Sequence, residues 1–279
     1  MSLGISEGSL VRLHILILTI VLAASPSAFA DGGGLLRACV ALFAPQKSAI
    51  EEEISAKEDR AWDNLRPQIA TEMAIFRSLP KNEKQAYLEK VSDSVTSYLE
   101  EVFHTDNLGF HYNLHGGGRD SYITGGGIHA TQGDIATQLG HARDYSKKVY
   151  FFQSQQVGLL KVLDSTNPAF LFPRTRMGHV LILMDLNAPI MKRLEADGVI
   201  RNKQSIYFEV DDASPRSLKS SNGSPIGVPA EAFVLPPLSV FTGISAKTGI
   251  NRLNWDEQTL VMMRFIEQMA KDSQQGRLN

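Results

Sequence analysis

The sequence predicts an α+β chain: helices at the N-terminal end, then a series of strands with few helices among them, then one closing helix. Three observations carry this expectation. Residues 48–102 hold two stretches in which apolar side chains recur every three or four positions, the period of a helix with one buried face. From residue 109 onward, short segments alternate apolar and polar residues or run wholly apolar at strand length. The helical patterns between those segments are too few for the regular β-α alternation of a doubly wound sheet.

The first helical stretch lines up Trp62, Leu65, Ile69, Met73 and Phe76 on one face, and Pro67 within it predicts two helices or a kink. Leu79-Pro80 ends the run. Asn82 is the expected cap of a second helix, whose stripe is Tyr87, Val91, Val95, Tyr98 and Val102. Charged residues on the remaining faces read as solvated surface, so this region is expected to be a support or a lid. In the strand that follows, Phe110, Tyr112 and Leu114 face a core, while His111, Asn113 and His115 face solvent or a cleft.

Further along, residues 128–131 and 149–152 read as strands, and Ile135, Leu139 and Ala142 mark one face of a helix. Residues 179–186 form a strongly apolar strand, expected at the centre of the sheet and covered on both sides. Residues 205–210 alternate, with Ile206, Phe208 and Val210 inward. Residues 211–228 form a polar Ser/Pro/Gly loop. Strands are expected at 232–236 and 240–244, joined through Pro236-Pro237. Asn254-Trp255-Asp256-Glu257 opens the last helix as a capping-box variant, with Leu260, Met263, Ile266 and Ala270 inward.

With 279 residues and 43% hydrophobic content the chain can bury a full core. Its formal net charge of −2 offers no broad basic surface, so neither nucleic acid nor an anionic membrane is an expected partner. Arg12 precedes the apolar run LHILILTIVLAA, and Ser25-Pro26-Ser27-Ala28-Phe29-Ala30 then ends in an A-x-A cleavage signature before Asp31. The expectation is an exported protein, periplasmic or secreted, whose signal peptide is removed after Ala30; an uncleaved anchor is the alternative. The run is short for a membrane span, so no stable span is expected after cleavage. Cys39 is the chain's single cysteine and excludes an intramolecular disulfide. Arg37 beside it, and the distance from the apolar run, argue against a lipoprotein cysteine. The expected organisation is a signal peptide at 1–30, a linker at 31–46, a helical region at 47–104, and an α+β domain with a C-terminal helix at 105–279.

Chemistry is expected in residues 110–139, which hold two Gly-Gly-Gly runs and His111, His115 and His129. Gly117 and Gly126 sit within those runs, where the missing Cβ admits a positive φ or a closely approaching ligand. Five of the seven histidines fall between His104 and His141, and imidazole serves as base, ligand or hydrogen-bond donor near neutral pH. His115-Gly116-Gly117-Gly118 spells an HGGG oxyanion motif, but the chain has no G-x-S-x-G elbow to supply a nucleophile. His111, His115, His129 and Asp120 lack the spacing of a zinc site, and no metal is expected.

The order of motifs resembles the ADP-ribosyltransferase superfamily, in the branch with a His-Tyr-Glu triad. Leu114-His115-Gly116 closes a strand, and Gly126-Gly127-Ile128-His129-Ala130-Thr131 leads toward a helix. Glu231-Ala232-Phe233-Val234-Leu235-Pro236-Pro237 comes much later, as a glutamate opening a strand. The likeness covers residues 109–245, and it implies a mixed, mostly antiparallel split-sheet domain that takes NAD as substrate. By the resemblance, His115 would bond a ribose hydroxyl, and the backbone of Gly116, with Gly117 following, would hold the nicotinamide amide. His129, with Gly127 ahead of it, would stack on the nicotinamide ring where the family has a tyrosine. Glu231 would stabilise the cationic sugar formed as nicotinamide leaves, a charge that needs a preorganised carboxylate. The ADP-ribose would pass to an unknown acceptor, possible acceptors including a protein. No glutamate stands two residues before Glu231, so the arginine-modifying subtype is not implied, and Glu209 is a rival for the acidic role. The other class of function is a non-enzymatic periplasmic binding or envelope protein, in which the glycine-rich loops are turns or partner contacts.

Overall fold

The striped segment that begins the folded region forms one continuous helix, α1 (Ala49–Ser78), with Pro67 inside it. The segment is not divided into two helices at Pro67. Proline costs a helix the bond to the carbonyl four residues back, here that of Asp63, and both residues are exposed on the solvent side, where water can take that carbonyl. Trp62, Leu65, Ile69, Met73 and Phe76 are all buried as the period requires. This computed structural model describes residues 49–115, 126–128, 148–164, 178–201, 207–211, 216, 218–219, 225–240 and 252–276, all within the unit Lys47–Asn279. The expected leader and linker, the second half of the glycine-rich stretch (129–139) and residues 241–244 lie outside the described residues.

The second helix, α2 (Lys81–Val102), starts one residue before the expected cap: Pro80 occupies the N-cap position, and no side chain caps it. Its buried stripe is Leu88, Val91, Val95, Leu99 and Val102, with Tyr87 and Tyr98 at the margin of the core. The helix ends in a Schellman turn. The Thr105 amide donates to the Glu100 carbonyl at 3.1 Å and the His104 amide to the Glu101 carbonyl at 3.3 Å. His104 takes the left-handed conformation there, with φ 52°.

The remaining described elements follow in chain order: β1 (Leu108–His115), β2 (Gly127–Ile128), β3 (Lys148–Gln153), α3 (Leu159–Asp164), β4 (Gly178–Asp185), α4 (Pro189–Ala196), β5 (Ile200–Arg201) and β6 (Tyr207–Asp211). After these come β7 (Leu218–Lys219), β8 (Pro225–Ile226), β9 (Val228–Pro229), a 3-10 turn (Ala230–Ala232), β10 (Leu238–Val240) and α5 (Trp255–Gln274). Six strands form one antiparallel sheet in the order β10-β4-β1-β3-β6-β5. The α+β class and its N-terminal helices are thus present. Within the expected polar loop at 211–228, β7 pairs with β8, and the loop's last residue opens β9.

Strand β4 lies inside the sheet, second from the β10 edge and not at its centre, and it is covered on both faces as its wholly apolar run predicts. Leu181 and Leu183 point into a core shared with α1, α2, α3 and α5. Val180, Ile182 and Met184 point into a second core, with Ile128, Val228, Ala232 and residues of α4. The helical layer is fixed by α5, whose capping box joins Asn254 and Glu257 in both directions. Leu260, Met263, Ile266 and Ala270 are fully buried. Helix α1 runs antiparallel to α5: Arg77 meets Glu257 at 2.8 Å, Arg264 meets Glu72 at 2.7 Å, and Asn64 reaches Asp272 at 3.3 Å. At the sheet edge, the buried Glu58 of α1 accepts from the Ser239 amide of β10 at 2.7 Å, so a carboxylate takes the place of a further strand.

Two carboxylates of α5 carry a pH signature. The hydrogen bond from Arg77, reinforced by the Asn254 amide, holds Glu257 below the usual carboxylate range despite its burial. Burial alone would raise Glu267, but hydrogen bonds from Lys271 and Arg264 outweigh it and lower the group. Both folded values lie below the unfolded one, so their contribution is complete above roughly pH 4.3 and is lost as pH falls through the lowered values. Urea midpoints should therefore hold level near neutrality and fall on acidification below about pH 4, less steeply in Glu267→Gln. His104→Gly should raise stability by about 0.5–1 kcal/mol in urea unfolding, because glycine takes positive φ without steric cost.

Candidate functional site

The second glycine run builds a short ribbon with a segment a hundred residues further on. Gly127 pairs with Pro229 and Ile128 with Val228. The Ala230 amide donates to the Gly126 carbonyl at 2.9 Å, and the Gly227 amide to the Ile128 carbonyl at 2.7 Å. Gly126 has φ +78° and Gly127 φ +155°, backbone that L side chains rarely adopt. A Cβ on Gly127 would stand 2.1 Å from the Val228 carbonyl oxygen and 2.9 Å from Pro229 Cα. Glycine is required there by the closeness of two backbones.

Glu231 follows this ribbon directly. It does not open a strand: it lies in the 3-10 turn Ala230–Ala232, and its side chain is exposed. Pro229 ahead of the turn donates no amide, and the segment rejoins the sheet only at Phe233, which bridges to Met184 of β4. Ala232 is buried in the second core, and Phe233 packs against it. The turn is thereby pinned on the ribbon side and on the sheet side, with the carboxylate between them facing water.

The strand register separates His115 from this turn. His115 pairs with Gly178 at the start of β4, whereas Phe233 bridges to Met184, six residues on. At about 3.3 Å per residue the two positions lie roughly 20 Å apart along the strand. Gly127 and Glu231 are brought together; His115 and Glu231 stand toward opposite ends of β4. Gly116, Gly117 and His129 lie outside the described residues. The rival Glu209 is on β6, opposite Tyr150 and Arg201.

An open cleft of about 420 Å³ adjoins the turn, walled by Ile50, Ile54, Ala230, Phe233, Pro236 and Pro237. The Lys57 ammonium on its wall pairs with the exposed Glu53 carboxylate at 2.8 Å, and that bond lowers the Glu53 pKa. The cleft thus has largely apolar walls and one ion pair, and it meets the turn at Ala230 and Phe233, on either side of Glu231.

The expected polar face of β1 is not open to solvent at His111. This residue is 9% exposed and stands opposite Ile182, on the side of the second core. The sequence shows its alternation but carries no sign that the ribbon and α4 would cover that side. Glu58 is not among the residues singled out from the sequence, although it falls four residues after Ile54 and four before Trp62, on the buried stripe. Among the described residues no group of three or more His, Cys, Asp or Glu could hold a metal ion, and no helix is long and apolar enough to cross a membrane.

Gly127→Ala should force the two ribbon backbones apart. The expected readout is faster hydrogen exchange at the Ala230 and Gly227 amides, with little change at amides of β4. No protein-family model matches the chain, and no curated protein or solved structure is similar enough to it to count as a match.

Proposed function

We propose that the chain is an exported ADP-ribosyltransferase-like protein that cleaves the bond between nicotinamide and ribose in NAD and passes ADP-ribose to an acceptor. The observation that carries this reading is the pairing of Gly127 with Pro229, which sets the second glycine run beside the turn that presents Glu231. Cleavage of a glycosidic bond builds positive charge on the sugar, and an exposed carboxylate on a pinned turn can oppose that charge without reorganising. Gly126 and Gly127 let the two backbones close on each other, which supports a fixed position for the turn that carries Glu231. The adjoining cleft is of a size to hold part of a nucleotide or an acceptor side chain. The export signal, the split-sheet family fold and the roles of His115, Gly116, Gly117 and His129 belong to the same reading.

A second reading, a non-enzymatic periplasmic binding or envelope protein, is favoured by the register that holds His115 some six residues along β4 from the Glu231 segment. One experiment separates the two. Purified chain lacking residues 1–30 is incubated with NAD, and free nicotinamide is followed over time. The expected result is release by the wild type and a loss of about a hundredfold or more in Glu231→Ala, the scale of removing one charge-stabilising group. Release that is absent from the wild type, or unchanged in the variant, gives the second reading.

A further inference from the structure

We infer that Ile226 is a positioning residue for Glu231: its side chain seats against the second glycine run and sets where the following turn carries the carboxylate. This rests on the reading just proposed. Ile226 precedes Glu231 by five residues, and the chain between them is the ribbon strand itself. The Gly227 amide donates to the Ile128 carbonyl, Val228 and Pro229 pair with Ile128 and Gly127, and the Ala230 amide donates to the Gly126 carbonyl. These links join backbone to backbone. Ile226 adds a side-chain contact at the end of the ribbon away from the turn.

The contact belongs to one methyl group. Ile226 Cγ2 stands 2.5 Å from the place a Gly127 Cβ would take, and Ile226 Cδ1 stands 3.5 Å from that of a Gly126 Cβ. A carbon–carbon bond adds about 1.5 Å, so Cγ2 lies within about 4 Å of the Gly127 Cα, in van der Waals contact. The methyl fills the space that a side chain would need, and it closes that side of Gly127 to a ligand. Ile226 is 4% exposed, yet among the described residues it groups with neither core. Its backbone is held from the other direction by pairing with Leu218 of β7. A β-branched side chain has little freedom at χ1, so the methyl is aimed as well as buried. Leucine would bury a similar apolar volume, but it has no branch at Cβ and so no methyl in this place. Without that contact the ribbon and its turn can shift, and a displacement of about 1 Å at such a site is worth up to about a hundredfold in rate.

The test compares Ile226→Leu, which lacks Cγ2, with Ile226→Val, which keeps it, in the chain lacking residues 1–30. Nicotinamide release, thermal melting and amide hydrogen exchange are read for each. Ile226→Leu should lose about tenfold to a hundredfold in kcat, with KM changed less than about twofold. Its Gly227 and Ala230 amides should exchange about tenfold faster, while those of β4 keep the wild-type rate. Ile226→Val should stay within about threefold of wild type in both readouts, although it leaves the larger void. Packing volume alone predicts the opposite order, with leucine the milder change. If Ile226→Leu fails to fold, Ile226→Met, also unbranched at Cβ, takes its place. Wild-type kcat and exchange in the unbranched variant, or losses in Ile226→Val as large as in that variant, overturn the inference and leave the proposed function to stand on Glu231→Ala. A wild type that releases no nicotinamide overturns the proposed function. The two amides then decide the inference by themselves: faster exchange confined to the unbranched variant supports it as a statement about the turn, and equal exchange overturns it.

Discussion

Burial of one strand on both faces is the constraint on which this structure depends. Strand β4 alternates Leu181 and Leu183 into one core with Val180, Ile182 and Met184 into another. It also holds β1 on one side and β10 with the Phe233 bridge on the other. A one-residue slip would exchange the two sets of side chains between cores of different shape. The register is therefore fixed, and every distance from β1 to the Glu231 turn follows from it. The same alternation separates the layers: one core is shared with α1, α2, α3 and α5, and the other with the ribbon and α4.

The helical layer meets the sheet through shape and through one charge. Leu108, Phe110, Leu181, Leu183 and Leu238 supply the sheet's side of a core otherwise built from α1, α2, α3 and α5. At the edge, Glu58 answers the Ser239 amide from within α1. A buried carboxylate is costly in itself, so its value lies in satisfying an amide that would otherwise be left to solvent or to another strand. Above the core, Arg264 holds Glu72 through three contacts and Glu267 through a fourth. Burial works against the Arg264 charge and these carboxylates sustain it, raising its pKa.

The ribbon is built on different physics. Gly126 and Gly127 contribute no side chains to either core; they matter because two backbones meet too closely for a Cβ. The turn that follows gains rigidity from its ends, the Gly126–Ala230 hydrogen bond and the Phe233–Met184 bridge. Between these anchors a charged group can be presented to water without being buried. An exposed residue on an over-determined backbone is the geometry expected of a functional loop on a rigid scaffold.

The sequence by itself determined what depends on neighbours three, four or two residues away. It set the stripes of α1 and α5, the Val91, Val95 and Val102 part of the stripe of α2, the Asn254–Glu257 capping box, the interior place of β4 and the order of helices before strands. Those features follow from local period and local hydrogen bonding, which a single chain displays openly. Tertiary structure decided the rest. Pro67 remained within a helix because it faced water, a matter of orientation around the core. Glu231 fell in a 3-10 turn because Val228–Pro229 was drawn onto Gly127–Ile128. His111 went under cover because the ribbon packed on its side of the sheet. Each of these turns on contacts between residues far apart in the chain, and no local pattern records which distant segment will arrive.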